Sequence, residues 1–210
     1  KDLHFSRCWC KIKQKNWKIV LFHARGCEST TMKRGTLQIY FGSGKGKTTA
    51  ALGQAIKEAS RGRSVFIVQF LKGRQPEEIQ FIQRLEPEIK LFRFQRREKA
   101  FVDLDPQERA EETMNMKNGL GFARKVLATG ECDVLILDEI LGLVEYGIAS
   151  ADDIRALLGE ASEGTEIIFT GQNLCREIME LADFVYQITT LKEQGCCAKE
   201  DAKEEGYGNI

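Results

Sequence analysis

The sequence predicts an α/β fold: a three-layer α/β/α sandwich with helices on both faces of a mostly parallel sheet of about six strands. Three observations support this prediction. From residue 36 onward, short apolar runs alternate with segments of helical period, the pattern of consecutive βα units. The run at residues 134–137 is apolar on both faces, as expected of a strand covered by helices on each side. Hydrophobic residues make up 42% of the chain, enough for a sizeable core, and only three residues are prolines.

The apolar runs define six predicted strands, at residues 37–41, 65–70, 89–94, 134–137, 166–170 and 184–188. Between them, apolar stripes of helical period predict helices at 48–60, 76–85 and 106–128, and a shorter helix after Ser150. Asp105 is placed to cap the longest helix and Gly130 to end it. Ser150 and Asp153 are spaced as a capping box.

The charges divide the chain near Met32. The 31 basic and 31 acidic residues cancel to a net charge of +0, but residues 1–31 carry seven Lys or Arg and only two acids. We therefore predict an N-terminal extension at 1–31, a domain at 32–190 and a charged tail at 191–210. The alternative for residues 1–31 is a basic, aromatic arm that binds nucleic acid or a protein partner.

The composition also limits the classes of function. Because the net charge is zero, the protein is not expected to bind nucleic acid or an acidic membrane through its overall charge. The apolar run at 19–22 is too short for a signal peptide or a membrane span. The seven cysteines lack the paired C-x-x-C spacing of a zinc site. These features predict a cytoplasmic protein without nucleic-acid or membrane partners.

The strongest chemical signal is a glycine- and lysine-rich run between the first predicted strand and the helix after it. Its residues are Gly42, Ser43, Gly44, Lys45, Gly46, Lys47, Thr48 and Thr49. Glycines let successive backbone N–H groups point at phosphate oxygens, and the helix N-terminus adds partial positive charge. A strict G-x-x-x-x-G-K-T match requires glycine where this chain has Phe41, so the loop is a variant.

These residues predict a nucleotide site on a fold of the P-loop NTPase type. We expect the whole run to contact ATP, Lys47 to act on the polyphosphate as a catalytic residue, and Thr48 to ligate Mg²⁺ or Mn²⁺. The alternative is a glycine-rich turn that binds nothing. In such a turn Lys45 and Lys47 would repel each other without an anion between them.

Two acids, Asp138 and Glu139, follow the apolar strand at 134–137. This arrangement places a carboxylate beside the metal ion of a phosphate-binding loop. We expect Asp138 to bind the metal directly or through water, and Glu139 to serve as a metal ligand or a catalytic group. The alternative is that the pair only caps the next helix.

Other polar residues follow neighbouring strands, at the edge where α/β proteins bind ligands. Gln69 and Lys72 follow the second predicted strand, and residues 170–173 follow the fifth. A plain turn explains each of these segments equally well. The basic run at 93–99 is predicted either to grip a polyanion or to form a solvated loop.

Taken together, these segments resemble the P-loop type of ATP:corrinoid adenosyltransferase. The motifs are residues 41–53, the Val-Gln-Phe-Leu-Lys-Gly run at 68–73, residues 137–139 and the Thr-Gly pair at 170–171. The resemblance implies transfer of the 5′-deoxyadenosyl group of ATP to cobalt(I) of a corrinoid, either cobalamin or a precursor such as cobyrinic acid a,c-diamide, with release of triphosphate. It also implies a homodimer, a flavoprotein reductase as partner, and a helical segment at 181–183.

The resemblance adds three expected binding residues. Lys57 stands where an arginine is common in the helix after the loop, and Gln172 where the family has the arginine of Thr-Gly-Arg. Phe101 lies in the stretch linked to corrinoid handling. Two other functions stay open on the residues alone: a P-loop ATPase or kinase that cleaves the γ-phosphate, and a non-catalytic, nucleotide-gated corrinoid carrier.

Overall fold

The computed structural model describes residues 20–22, 35–72 and 81–191. Within these residues the strands are β1 (Val20–Phe22), β2 (Thr36–Phe41), β3 (Val65–Gln69), β4 (Ile89–Arg93), β5 (Val134–Asp138), β6 (Glu166–Gly171) and β7 (Phe184–Gln187). They form one sheet in the order β1-β7-β2-β6-β5-β3-β4. Strand β1 is antiparallel to β7, and all other neighbours are parallel.

The described helices are α1 (Lys47–Ala59), α2 (Pro106–Thr129), α3 (Ile140–Glu145), α4 (Ala151–Gly159) and α5 (Arg176–Met179), with 3₁₀ turns at Gln83–Leu85 and Phe101–Asp103. They cover both faces of the sheet. Ala51 of α1 packs in one apolar cluster with Ile67 of β3. Met116 of α2 packs in another with Phe66 and Val68 of the same strand. Because successive side chains of a strand point to opposite faces, β3 is buried on both sides, and the predicted three-layer sandwich is confirmed.

The predicted elements agree closely with the described ones. Each of the six predicted strands ends within one residue of an observed strand, as do the predicted helices at 48–60 and 106–128. The predicted capping box of Ser150 and Asp153 is present, and Asp105 caps its helix as predicted, in a second capping box with Glu108. Most of the predicted helix at 76–85 lies outside the described residues. None of the described helices has the length and apolar character needed to cross a membrane.

The prediction of a helix at 181–183 is wrong. The Asp183 carboxylate accepts a hydrogen bond from the Leu37 N–H at 2.7 Å, and the Asp183 N–H donates to the Leu37 carbonyl oxygen at 3.0 Å. The N–H groups of Leu181 and Ala182 donate to the carbonyl oxygens of Ile178 and Met179 in the turn that ends α5. The two Asp183 bonds then hold the chain against the start of β2, so no helix continues over 181–183. Helix α3 was not predicted.

Strand β1 lies inside the predicted N-terminal extension. Its residues Val20, Leu21 and Phe22 pair with β7 at the sheet edge. The sheet therefore has a seventh strand where about six were expected, and the division of the chain near residue 32 stays a prediction. The remaining residues of 1–31, and the tail from residue 192 onward, lie outside the described part of the chain.

The sheet brings the predicted motifs to one edge. Strands β2, β3, β5 and β6 are mutually parallel, so their carboxyl ends lie together. In this register Gln69 pairs with Asp138, and Phe41 pairs with Gly171. The glycine- and lysine-rich run starts directly after Phe41, which places it beside the ends of the other strands.

Candidate nucleotide-binding site

The glycine- and lysine-rich run, residues 42–49, forms a compact loop. Its first position accepts only glycine. Gly42 has φ +124°, and a Cβ there would lie 2.4 Å from the Ile188 carbonyl oxygen. The Gly42 N–H donates to the Gln172 carbonyl oxygen at 3.0 Å, and the Gly44 N–H donates to Ile188 at 3.0 Å. The loop is therefore fixed against the segments that follow β6 and β7.

Helix α1 begins directly at the end of this loop. Its N-cap, Gly46, is left-handed with φ 110°. As a glycine it has no side chain to bond the N–H groups of the first turn. Lys47 Nζ donates to the carbonyl oxygens of Gly42 at 2.7 Å and Gly44 at 2.9 Å, so its ammonium lies over the loop. A helix N-terminus with a cation beside it suits a phosphate group.

The Asp138 carboxylate lies at the centre of the site and is only 1% exposed. Its Oδ1 accepts from the hydroxyls of Thr48 at 3.0 Å and Thr170 at 2.6 Å. Its Oδ2 accepts from Gln69 Nε2 at 3.0 Å and lies 2.6 Å from Lys72 Nζ. Four elements thus meet at one buried carboxylate, and the alternative that Asp138 only caps a helix is wrong.

Lys72 reaches Asp138 because the chain turns sharply after β3. Leu71 has φ +52°, a left-handed conformation that is unusual for a residue other than glycine. The Lys72 ammonium also donates to Thr48 Oγ1, and Arg93 Nη2 donates to the Lys72 carbonyl oxygen at 2.5 Å. Gln69 and Lys72 therefore lie in the cluster around Asp138, and a plain turn does not account for their contacts. That they bind the nucleotide stays a prediction.

Glu139 lies next to this cluster in a second left-handed conformation, φ 63°. Its N–H donates to Thr170 Oγ1 at 2.8 Å, and its side chain makes no capping hydrogen bond to α3. Burial, with the neighbouring Asp138 charge as a second cause, raises the pKa of the Glu139 carboxyl above its usual range. Such a carboxyl can hold a proton at a higher pH than an exposed glutamate.

A cleft opens between Glu139 and the loop that precedes α2. Its lining includes Leu71, Lys72, Phe101, Glu139, Tyr146 and Gln172. The rings of Phe101 and Tyr146 lie 5.2 Å apart between centroids. The cleft thus joins the polar cluster around Asp138 to an aromatic wall, and it brings Phe101 and Gln172 close to the remaining predicted residues.

Four of the predicted binding residues lie outside the cluster around Asp138. Lys57 is in the last turn of α1, and its ammonium donates to Gln54. It lies ten positions after Lys47 in the helix, about 15 Å at 1.5 Å per residue, so the structure does not bring Lys57 to this cluster. Ser43, Lys45 and Thr49 are exposed at the loop.

The basic run at 93–99 is bound to α2. Arg97 pairs with Glu108 at 2.9 Å and Glu111 at 2.7 Å, and Lys99 pairs with Glu108 at 3.4 Å. Two of its cations are thus already paired with acidic side chains, which argues against a role of the run in binding a polyanion.

Tyr146 is not among the residues that the sequence predicts for the site, because it follows the unpredicted helix α3.

The donor set fits a magnesium ion. The described residues contain no group of three or more His, Cys, Asp or Glu that could hold a metal. Mg²⁺ does not need one, because it takes most ligands from water and substrate phosphates and one or two from protein oxygens. Thr48 Oγ1 and the Asp138 carboxylate can supply these. Gln69 Oε1 is buried without a hydrogen-bond partner, and a metal-bound water would satisfy it.

The fold and this site define a nucleotide-binding protein of the P-loop class. A sequence profile of the ATP:corrinoid adenosyltransferase family BtuR/CobO/CobP matches residues 33–203. The chain therefore belongs to this family, as the motifs predicted.

Individual relatives agree with the family match. The corrinoid adenosyltransferase of Escherichia coli K12 is 33% identical over 160 residues, 76% of this chain and 79% of that protein. The corrinoid adenosyltransferase CobA of Salmonella typhimurium is 31% identical over the same shares. Among solved structures, the flagellar accessory protein FlaH of Methanocaldococcus jannaschii gives a TM-score of 0.47 at 18% identity, covering 71% of this chain and 67% of that one.

Proposed function

We propose that loop 42–49 holds the triphosphate of ATP while the 5′-deoxyadenosyl group passes to cobalt(I) of a corrinoid. The observation that carries this proposal is the meeting of Lys47, Thr48 and Asp138 at one sheet edge in a member of this enzyme family. The loop amides, the start of α1 and the Lys47 ammonium oppose the charge of the leaving group. Mg²⁺ held by Thr48 and Asp138 would neutralise further phosphate charge.

The chemistry explains why the site needs no protein nucleophile. Cobalt(I) donates an electron pair to C5′ to form the cobalt–carbon bond, the bond from C5′ to the phosphate oxygen breaks, and triphosphate leaves with the electron pair of the broken bond. Cobalt is thereby oxidised to cobalt(III). The protein has to align C5′ with cobalt and stabilise the leaving triphosphate, which are tasks of position and charge.

The aromatic cleft is the proposed side for the corrinoid. Tyr146, which is 43% exposed, offers apolar ring surface to a large flat ligand, and the nearly buried Phe101 ring packs against it. Gln172 and Glu139 supply polar groups beside the phosphate loop. A corrinoid there would face C5′ of a nucleotide bound at Lys47. We further propose a homodimer that works in the cytoplasm, with a flavoprotein reductase as the source of electrons for cobalt.

The test combines ATP, Mg²⁺ and chemically reduced cobalamin with the wild type and Lys47→Met. The wild type should form the spectrum of a cobalt–carbon bond, and Lys47→Met should lower kcat roughly 10²–10³-fold, the usual loss for one charge-stabilising donor. Lys125→Met, an exposed lysine on α2, is the matched control and should keep the wild-type rate. Unchanged turnover in Lys47→Met would contradict the proposed role of the loop.

A further inference from the structure

Lys72 bonds the same two protein groups that a divalent cation would use. Its ammonium lies 2.6 Å from Asp138 Oδ2 and also donates to Thr48 Oγ1. Both groups are the metal ligands of the proposed site, and they bond each other at 3.0 Å. An ammonium bonded to both oxygens stands in the place of the metal ion.

The local backbone directs Lys72 to this place. The left-handed Leu71 turns the chain back after β3, and the Arg93 guanidinium holds the Lys72 carbonyl oxygen at 2.5 Å. The Phe70 N–H donates to the Asp138 carbonyl oxygen at 3.0 Å, which joins the two strands just before the turn. The side chain of Lys72 is 24% exposed, so it has room to leave.

Charge balance explains what the ammonium does there. The Asp138 side chain is 1% exposed, and a buried carboxylate without a cation is strongly destabilising. Lys72 supplies that cation. A divalent ion cannot take the same oxygens unless the ammonium withdraws, because two cations at this distance repel each other strongly in a partly buried site.

We propose that Lys72 is a tethered cation that closes the metal site until a metal-bound nucleotide displaces its ammonium. The proposal rests on the metal site proposed above. A free divalent ion brings no new partner for the displaced ammonium, whereas the phosphates of a nucleotide do. Metal and nucleotide therefore bind cooperatively, each raising the affinity for the other by the same factor.

Mn²⁺ is a suitable probe because the free ion gives an electron paramagnetic resonance signal that disappears on binding. Wild-type protein should bind Mn²⁺ weakly alone and at least about tenfold more tightly with the β,γ-imido analogue of ATP, a coupling of ordinary allosteric size. Lys72→Met should bind Mn²⁺ without nucleotide at least about tenfold more tightly than the wild type. Adding Asp138→Asn to Lys72→Met should remove this gained binding and so localise it.

Two further variants separate charge from side-chain loss. Lys72→Arg keeps a cation and should stay closed to Mn²⁺ alone, and Lys125→Met should behave as the wild type. Equal Mn²⁺ affinity of wild type and Lys72→Met without nucleotide would overturn the proposal. If Lys72→Met does not fold, Lys72→Gln takes its place, since it also removes the charge, and its equal Mn²⁺ affinity with the wild type without nucleotide would also overturn the proposal. None of these readouts uses a corrinoid, so they stand apart from the test of adenosyl transfer.

Discussion

The Thr170 hydroxyl donates to Asp138 Oδ1 at 2.6 Å and accepts the Glu139 N–H at 2.8 Å. One buried side chain thus fixes both acids at the end of β5. It orients the Asp138 carboxylate toward Thr48, and it holds Glu139 in a left-handed conformation that a residue other than glycine rarely adopts.

Replacing this hydroxyl by a methyl group should therefore be costly. Thr170→Val leaves the Glu139 N–H without its acceptor, so we expect the free energy of unfolding to fall by about 1–3 kcal/mol. Urea unfolding measures this. Thr129→Val, at the exposed end of α2, is the control and should change stability by less than about 0.5 kcal/mol. Equal losses of unfolding free energy in the two variants would show that the hydrogen bonds of the Thr170 hydroxyl do not stabilise the fold.

The loop glycine at position 42 is expected to tolerate no side chain. Gly42→Ala places a Cβ 2.4 Å from the Ile188 carbonyl oxygen at φ +124°, and such a conformation alone costs about 1–3 kcal/mol. We expect lower stability and loss of ATP binding, measured by calorimetry.

Gly53 in α1 provides the matched control for this glycine. A Cβ at Gly53 meets no atom within 4 Å, so Gly53→Ala should raise stability by about 0.5–1 kcal/mol through helix propensity. ATP affinity should stay the same. Normal ATP binding by Gly42→Ala would mean that the loop conformation is not needed.

A network of ion pairs lies at the amino ends of the parallel strands, opposite the nucleotide site. It is expected to contribute to the stability of the fold and not to the reaction. Arg63 Nη1 pairs with Glu58 at 2.8 Å and Glu166 at 2.9 Å, and Glu58 is 2% exposed. Arg63→Met leaves both acids without this partner. Because Arg63 is itself 30% exposed, we expect a loss of about 2–3 kcal/mol, below that of a fully buried pair.

Arg61→Met is the comparison for Arg63, because Arg61 also pairs with Glu58 but is 59% exposed. It should cost less than about 1 kcal/mol. Urea unfolding of both variants at neutral pH provides the measurement. A larger loss of stability for Arg61→Met than for Arg63→Met would show that Arg61, and not Arg63, is the main partner of Glu58.

Tyr40 should contribute a loss of stability at alkaline pH. Burial, with Tyr186 and Glu166 as further causes, raises the pKa of Tyr40 to about 12. An unfolded tyrosine loses its proton near pH 10, so between about pH 10 and 12 the unfolded chain binds fewer protons than the folded one. The free energy of unfolding then falls as pH rises. Tyr40→Phe should show a shallower fall between pH 9 and 11, and an unchanged slope would contradict this origin.

The sequence predicts the strands, the longer helices and the phosphate loop because their signals are local. Apolar periodicity marks the six parallel strands, and capping residues such as Asp105 mark helix ends. Helix α3 carries no such mark, since its six residues continue the apolar character of β5. Lys57 was expected from family position alone, and helix geometry places it away from the loop.

The detailed contacts of the site depend on features that periodicity does not encode. The left-handed conformations of Leu71 and Glu139 set where Lys72 and the acids point, and neither residue type signals such a turn. The pairing of Phe101 with Tyr146 joins segments distant in sequence through α3. Family resemblance predicted the aromatic position at 101, whereas Tyr146 required the tertiary structure.

The phosphate product of a single turnover tests the central claim most directly. Phosphorus-31 NMR after reaction of the protein with ATP, Mg²⁺ and reduced cobalamin should show triphosphate in equal amount to the adenosylated corrinoid, because attack at C5′ releases all three phosphates together. ADP with inorganic phosphate, and no cobalt–carbon bond, would contradict adenosyl transfer and identify cleavage of the γ-phosphate instead.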